Sequence, residues 1–250
     1  MERITKIITI ANHKGGVGKT TTTASLGAIL SSKGMKVLLI DLDAQANLTC
    51  SVLKGEVEGT VYDSFVSSSP LPIYEVKENL DISPADLQLA RADLQLAAAI
   101  ARESILSRLL APVKGKYDYI LIDCPPSLGV MTLNAVTASD YVLIPMIAEV
   151  LPFNGLKMIS DFIGMIKDQL NPKVDILGIL ITRWENTNLA KSIEAGLRDK
   201  LGDKVFKTKI RKNVTVAQAP LLATTIVDYD SKSNGALDYT SFTEEFLERV

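Results

Sequence analysis

Cysteine is scarce in this chain, with only Cys50 and Cys124 among 250 residues. Two cysteines cannot build a disulfide framework or a four-ligand zinc site, and they suit a reducing cytosol. Charge of one sign is also lacking. The 27 Lys plus Arg against 29 Asp plus Glu leave a net charge of −2. That balance excludes a histone-like polycation, though not a local basic patch. Long apolar runs are missing too. The stretch over residues 4–11 follows no basic leader and runs straight into Asn12-His13-Lys14-Gly15-Gly16, and the stretch over 141–151 is cut by Pro145 and Glu149. Neither reaches the roughly 20 residues of a spanning helix, so a cytoplasmic protein without a stable membrane anchor is expected. No linker rich in Pro, Gly or Ser divides the chain, because the Ser/Pro-rich segment at 66–72 is too short. A single domain over residues 1–250 is therefore expected. At 47% hydrophobic and 22% charged, the composition is that of a globular chain able to bury a core.

What is present is an alternation. Short β-branched and aliphatic runs recur at residues 7–10, 37–40, 120–122, 142–144 and 176–181. They lack period-2 polarity, which is how strands buried on both faces read. Helical patterns lie between them, over 19–33, 86–110, 129–138 and 153–170. The last third adds a helix near 189–201, a strand near 205–210 and a C-terminal helix near 236–250. Inside the 86–110 pattern a seven-residue unit repeats once, Ala85-Asp-Leu-Gln-Leu-Ala-Arg91 then Ala92-Asp-Leu-Gln-Leu-Ala-Ala98. Two copies fit one helix's core stripe better than a coiled coil. The expected fold is α/β, a mostly parallel twisted sheet with helices on both faces.

The first strand leads into His13-Lys14-Gly15-Gly16-Val17-Gly18-Lys19-Thr20-Thr21, and a helix opens at once. Glycines let successive backbone N–H groups point at phosphate oxygens, and the helix N-terminus adds its positive dipole end. Lys19 then reaches the β- and γ-phosphates, and the Thr20 hydroxyl ligates Mg²⁺. His13 stands where the strict GxxxxGK[ST] pattern has glycine, yet the KGGxGKT box is complete and identifies a P-loop NTPase. As the only histidine it invites a catalytic reading, but loop packing suits it better. Three carboxylates fall at strand ends, where ligands sit in an open α/β sheet: Asp41, Asp43 and Asp123. Asp123 closes an apolar strand as a Mg²⁺-holding aspartate does. Asp41 and Asp43 are two apart, so one can serve hydrogen bonding and the other the attacking water.

These segments resemble the ParA/MinD group of ATPases. Lys14–Thr21 resembles its deviant Walker A box, Asp41-Leu-Asp-Ala-Gln45 its DxDPQ segment, and Tyr119-Ile-Leu-Ile-Asp-Cys-Pro-Pro-Ser127 its Walker B strand. Asn213-Val-Thr-Val-Ala-Gln-Ala-Pro220 resembles the late N-V-R-x-x-E-A-P stretch, and the run from Asp228 to Ala236 the D-P-x-S-x-G-A tail. The resemblance covers nearly the whole chain and is strongest to small ParA proteins of the Soj type. It implies a homodimer that sandwiches ATP, with Mg²⁺, and Lys14, Lys19 and Asp43 in catalysis, Lys14 reaching the partner's nucleotide and Asp43 orienting water. The nucleotide-binding set it implies is Lys14, Gly15, Gly16, Val17, Gly18, Lys19, Thr20 and Thr21. Asn213 would contact the base, and Arg183 likewise. Thr20 and Asp123 would hold the metal.

It further implies DNA partitioning, for a plasmid, chromosome or mobile element, with a ParB-like centromere-binding partner that stimulates hydrolysis. Ala44 replaces the usual Pro, Arg211 the Pro of I-P-R-N, and Thr215 the Arg that nonspecific DNA binders often carry. Residues 191–212 carry eight Lys or Arg against three acids, a local net of +5. Lys204, Lys207, Lys209, Arg211 and Lys212 are thus the candidate DNA contacts, sequence-independent and salt-sensitive. Nucleoid association would follow. With the first strand near residue 4, no helix-turn-helix extension and no operator-specific repression are expected. Among rivals, MinD-like membrane-site selection would need a basic amphipathic tail, whereas residues 242–250 are acidic. A nitrogenase-type reductase would need cluster-spaced cysteines, and an ATP-dependent ligase a substrate pocket. Positioning of a protein cargo reads the same in sequence.

Overall fold

The computed structural model describes residues 4–96, 98–149 and 152–250. Among them the strands are β1 (Lys6–Ile10), β2 (Val37–Asp41), β3 (Tyr74–Lys77), β4 (Leu80–Ser83), β5 (Tyr119–Asp123), β6 (Tyr141–Ile147), β7 (Asp175–Trp184) and β8 (Val205–Arg211). They form one sheet in the order β3-β4-β2-β5-β1-β6-β7-β8. Every pairing is parallel except β3 with β4, which turns at Glu78-Asn79 with Asn79 left-handed at φ 62. The helices are α1 (Lys19–Ser32), α2 (Asn47–Val52), α3 (Val61–Ser67), α4 (Ala92–Gln95), α5 (Ile105–Leu110), α6 (Val130–Ala138), α7 (Pro152–Gln169), α8 (Asn188–Leu201), α9 (Val214–Gln218), α10 (Ile226–Tyr229) and α11 (Asn234–Leu247).

The central strands are buried on both faces, as their unbroken apolar runs predict. Along β2, Leu38 and Ile40 enter one core while Val37 and Leu39 enter the other. Successive side chains of a strand point to opposite faces, so a strand with helices on both sides is apolar except where a polar side chain finds a buried partner, as Thr9 does in Ser139 at 2.6 Å. The first core is closed by α5, α6, α7 and α8 through Leu106, Ala135, Ile163 and Leu197. The second is closed by α1 and α11 through Leu26, Leu30, Phe242 and Phe246. Phe242 meets Phe206 of β8 edge-on at 4.9 Å. Each such buried ring contributes roughly 2–3 kcal/mol through removal from water.

Strand β8 is the sheet edge beyond β7, and α11 serves its outward N–H groups. The Glu245 carboxylate accepts from the N–H of Lys207 and of Thr208, at 2.8 and 2.9 Å. Asp238, seven residues earlier and so on the same helix face, accepts from the N–H of Arg211 at 2.9 Å. Those three N–H groups are thereby withheld from pairing with another chain.

Two sequence expectations change. The helix expected over 86–110 is interrupted, and its Ala97 lies outside the described residues. Ala85, Leu89, Ala92 and Leu96 are buried at helical spacing, but Ala101 adopts φ 53 and the chain restarts as α5. The new start is fixed by Asn134 of α6, which accepts from the Leu106 N–H at 3.0 Å and donates to the Arg102 carbonyl at 2.7 Å. The β3–β4 hairpin was not expected, because strands of four residues, β3 with no buried position and β4 with three, carry little periodic signal.

Candidate functional site

The phosphate loop leaves the C-terminal end of β1 in mid-sheet, with β5 on one side and β6 on the other. Asn12 ties its entry down, donating through Nδ2 to the Pro145 carbonyl at 2.8 Å and accepting from the Lys14 N–H at 3.1 Å. Gly16 and Gly18 are left-handed, at φ 72 and 85, a conformation that a Cβ would strain. Gly18 caps α1 without a side chain, so the first N–H groups of α1 face open space. That is the electropositive end that favours an anion.

Lys19 is 7% exposed, and its Nζ donates to the Lys14 carbonyl at 3.1 Å. Burial lowers its pKa, with the nearby Asp123 charge opposing. Thr20 Oγ1 donates to Asp123 Oδ2 at 2.7 Å, which brings the two candidate metal ligands together. Asp123 is fully buried, and burial first, then the Asp41 charge, hold its carboxyl well above the usual range. A site that raises the cost of its own carboxylate and presents hard oxygen donors suits a divalent cation such as Mg²⁺, which needs only one or two protein ligands beside phosphate oxygens. Accordingly, the described residues hold no group of three or more His, Cys, Asp or Glu of the kind that cages a metal by itself.

Asp41 and Asp43 divide as their spacing suggests. Asp41 has no exposed surface and accepts from the Asp43 N–H at 3.0 Å, the Thr49 N–H at 2.9 Å and Thr49 Oγ1 at 2.8 Å. It holds the turn in place. Asp43 is half-buried, uses Oδ1 to accept from the Gln45 N–H at 3.0 Å, and lines a cavity of about 440 Å³ with Gly16, Gly18, Lys19 and Thr20. A second cavity of about 470 Å³ shares Val216 and Pro220 with the first and adds Arg183 and Asn213. The structure thus places both candidate base contacts on one side of the loop. Asn213 already accepts from the Thr215 N–H at 2.8 Å as the cap of α9, leaving its NH₂ group for a ligand.

Lys14 lies apart from this ring, half-exposed and hydrogen-bonded to Glu149 beyond β6. His13 packs against Gly155 of α7, where an added Cβ would lie 2.5 Å from its Cε1, and its buried Nδ1 has no partner among the described residues. Of the five basic residues considered for DNA, Lys207, Lys209 and Arg211 lie on β8 and Lys204 and Lys212 directly flank it. Four have carboxylate partners: Lys204 with Asp175, Lys209 with Glu194, Arg211 with Asp238 and Lys212 with Glu185, at 2.7–2.9 Å. Sequence reading missed Asn12, Thr49 and Thr182 as parts of the site. The available signal was position, since Asn12 and Thr182 are polar residues at the carboxyl ends of apolar strands.

Comparison with known proteins agrees with this geometry. The AAA domain family matches residues 5–176. The chain is 43% identical to the sporulation initiation inhibitor protein Soj of Bacillus subtilis over 96% of this chain and 97% of that one. It is 36% identical to the chromosome partitioning protein ParA of Caulobacter vibrioides, over 98% and 94% of the two chains. This chain belongs to the ParA/MinD group of P-loop ATPases. Among solved structures, a cobyrinic acid a,c-diamide synthase from Mycobacterium smegmatis with bound ATP analogue and magnesium superposes with a TM-score of 0.86. It is 32% identical and covers 98% of this chain and 95% of that one. The ParA-type features outside the matched 5–176 segment, at Asn213 and the 228–236 tail, lie on the second cavity and at the start of α11. No helix among the described residues is long and apolar enough to cross a membrane.

Proposed function

We propose that this chain is a Mg²⁺-dependent ATPase that partitions DNA, acting as an ATP-sandwich homodimer which binds nonspecific DNA and is stimulated by a ParB-like partner. The observation that carries the reading is the closed set around the first cavity: an uncapped helix N-terminus, buried Lys19, the Thr20–Asp123 pair and Asp43. The near-full-length similarity to Soj and ParA supports the biological role. The family's slow basal hydrolysis, a cytoplasmic and nucleoid-associated location, and one catalytic unit over residues 1–250 belong to the same proposal.

In this mechanism the loop N–H groups and the α1 dipole hold the phosphate chain. Lys19 leaves the Lys14 carbonyl to neutralise β- and γ-oxygens. Mg²⁺, held through Thr20 and Asp123, would supply positive charge to the same oxygens. Asp43, with one carboxylate oxygen uncommitted, accepts a proton-bearing contact from the attacking water and aligns it with the terminal phosphorus. Lys14 exchanges Glu149 for the nucleotide of the facing subunit. Catalysis is then positioning and charge neutralisation.

Lys19→Ala should abolish ATP binding, and retained tight binding would remove the loop from the mechanism. DNA cosedimentation with and without ATP over a salt series tests the cargo. ATP-dependent, steeply salt-sensitive pelleting supports DNA partitioning. No pelleting at low salt favours a protein cargo instead, a reading that the carboxylate partners along β8 keep open.

A further inference from the structure

Thr182 ends the buried run of β7 and is 2% exposed. Its hydroxyl lies 2.7 Å from the Val17 carbonyl and 3.1 Å from the Met146 carbonyl. One hydroxyl hydrogen serves chiefly the nearer acceptor, so Thr182 holds Val17 O. Val17 is itself wholly buried, in the middle of the phosphate loop.

A trans peptide is planar, with its C=O and the next N–H pointing opposite ways. A Val17 carbonyl drawn outward to Thr182 therefore turns the Gly18 N–H inward, to the side where phosphate oxygens would lie. The reverse peptide orientation would aim a carbonyl oxygen at the phosphates and repel them. Gly18, at φ 85, has no Cβ to oppose either arrangement on its side of the peptide. The selecting contact comes from outside the loop. The geometry points to Thr182 as a positioning residue that fixes the Val17–Gly18 peptide in its phosphate-binding orientation. This rests on the ATPase reading above and adds to it a residue 165 positions away from Val17 in sequence. The following residue, Arg183, is left-handed at φ 49 and lines the second cavity, so the end of β7 sets the phosphate loop and the second cavity from adjacent positions.

The test is ATP affinity by isothermal titration calorimetry, with Mg²⁺ and a non-hydrolysable ATP analogue, well below each variant's melting temperature. Thr182→Val keeps the shape and removes the O–H; Thr182→Ser keeps the O–H. Losing one oriented N–H to a charged phosphate should weaken binding roughly 10- to 100-fold in Thr182→Val, with Thr182→Ser recovering most of it. In turnover the loss should appear in KM, with kcat at saturation within about twofold of wild type. A merely structural role would lower the melting temperature and leave the affinity of the folded protein alone, which overturns the proposal. If Thr182→Val does not fold, Thr182→Ala, smaller and also without the hydroxyl, is read in its place. Wild type that binds no nucleotide sinks the ATPase reading itself. Wild type that binds, beside a hydroxyl-free variant that binds equally well, sinks only the role of Thr182.

Discussion

Lowering the pH should stabilise the nucleotide-free chain, the opposite of ordinary acid denaturation. Asp41 is fully buried, and burial lifts its carboxyl to about 6 from an ordinary 3.8, against the three hydrogen bonds it accepts. A carboxyl that holds its proton more tightly when folded makes folding take up a proton. Its contribution is therefore fully present below the unfolded pKa and is lost as pH rises through about 6. At about 1.4 kcal/mol per tenfold, the full loss is about 3 kcal/mol, and the part recovered between about pH 7 and about pH 5 is roughly 1 kcal/mol. Asp123, raised by burial and then by Asp41, adds in the same direction. The carboxylates that oppose this trend act lower. For Asp175, Glu194 and Glu245, burial is outweighed by lysine, arginine or N–H partners, so each lies below its ordinary 3.8 or 4.5. Their stabilisation is lost only as pH falls beneath those values. Urea unfolding followed by Trp184, the single tryptophan, is the assay. With a slope of about 3 kcal/mol per molar, the midpoint should rise by about 0.3 M from about pH 7 to about pH 5. A flat or falling midpoint refutes the reasoning, as does an Asp41→Asn variant that keeps the full pH slope.

Other substitutions separate the parts of the site. Lys14→Ala removes the group now resting on Glu149, outside the binding ring; nucleotide should still bind while light scattering detects no ATP dimer, and a dimer of normal stability would dismiss the assigned role. Asp43→Ala should lengthen the life of the ATP-bound dimer and reduce phosphate release by at least about a hundredfold, in line with the loss of a positioned catalytic group. Undiminished turnover would pass that role to another residue. Glu245→Ala strips the acceptor from two edge N–H groups of β8 and should cost about 1–2 kcal/mol in urea unfolding with ATP hydrolysis unaltered. Equal stability would mean that water replaces the carboxylate at no cost.

Local sequence determined much of this protein by itself. Apolar runs without alternation declare strands covered on both faces, since a polar position there must find a buried partner, as Thr9 and Thr182 do. Lys14–Thr21 declares a phosphate loop, because glycines and lysines at that spacing open a helix whose N–H groups need an anion. The carboxylates of Asp43 and Asp123 are legible as strand-end groups for the same reason of position. Tertiary structure decided what depends on contacts across distant segments. Asp41 and Asp123, far apart in sequence, stand side by side in paired strands, where burial first and then neighbouring carboxylate charge raise their carboxyls. The pattern over 86–110 looks continuous until Asn134 of α6 captures the Leu106 N–H and restarts the chain. The basic segment of residues 191–212 reads as an open cationic face, yet five of its members, Arg198, Lys204, Lys209, Arg211 and Lys212, meet Asp175, Glu185, Glu194 or Asp238 in the fold. Thr182 has no motif at all. Its meaning is a 2.7 Å contact across 165 residues, which exists because parallel packing brings the end of β7 beside the phosphate loop. Sequence fixes what each segment can do alone, while hydrogen bonds and burial between segments choose which of those options is realised.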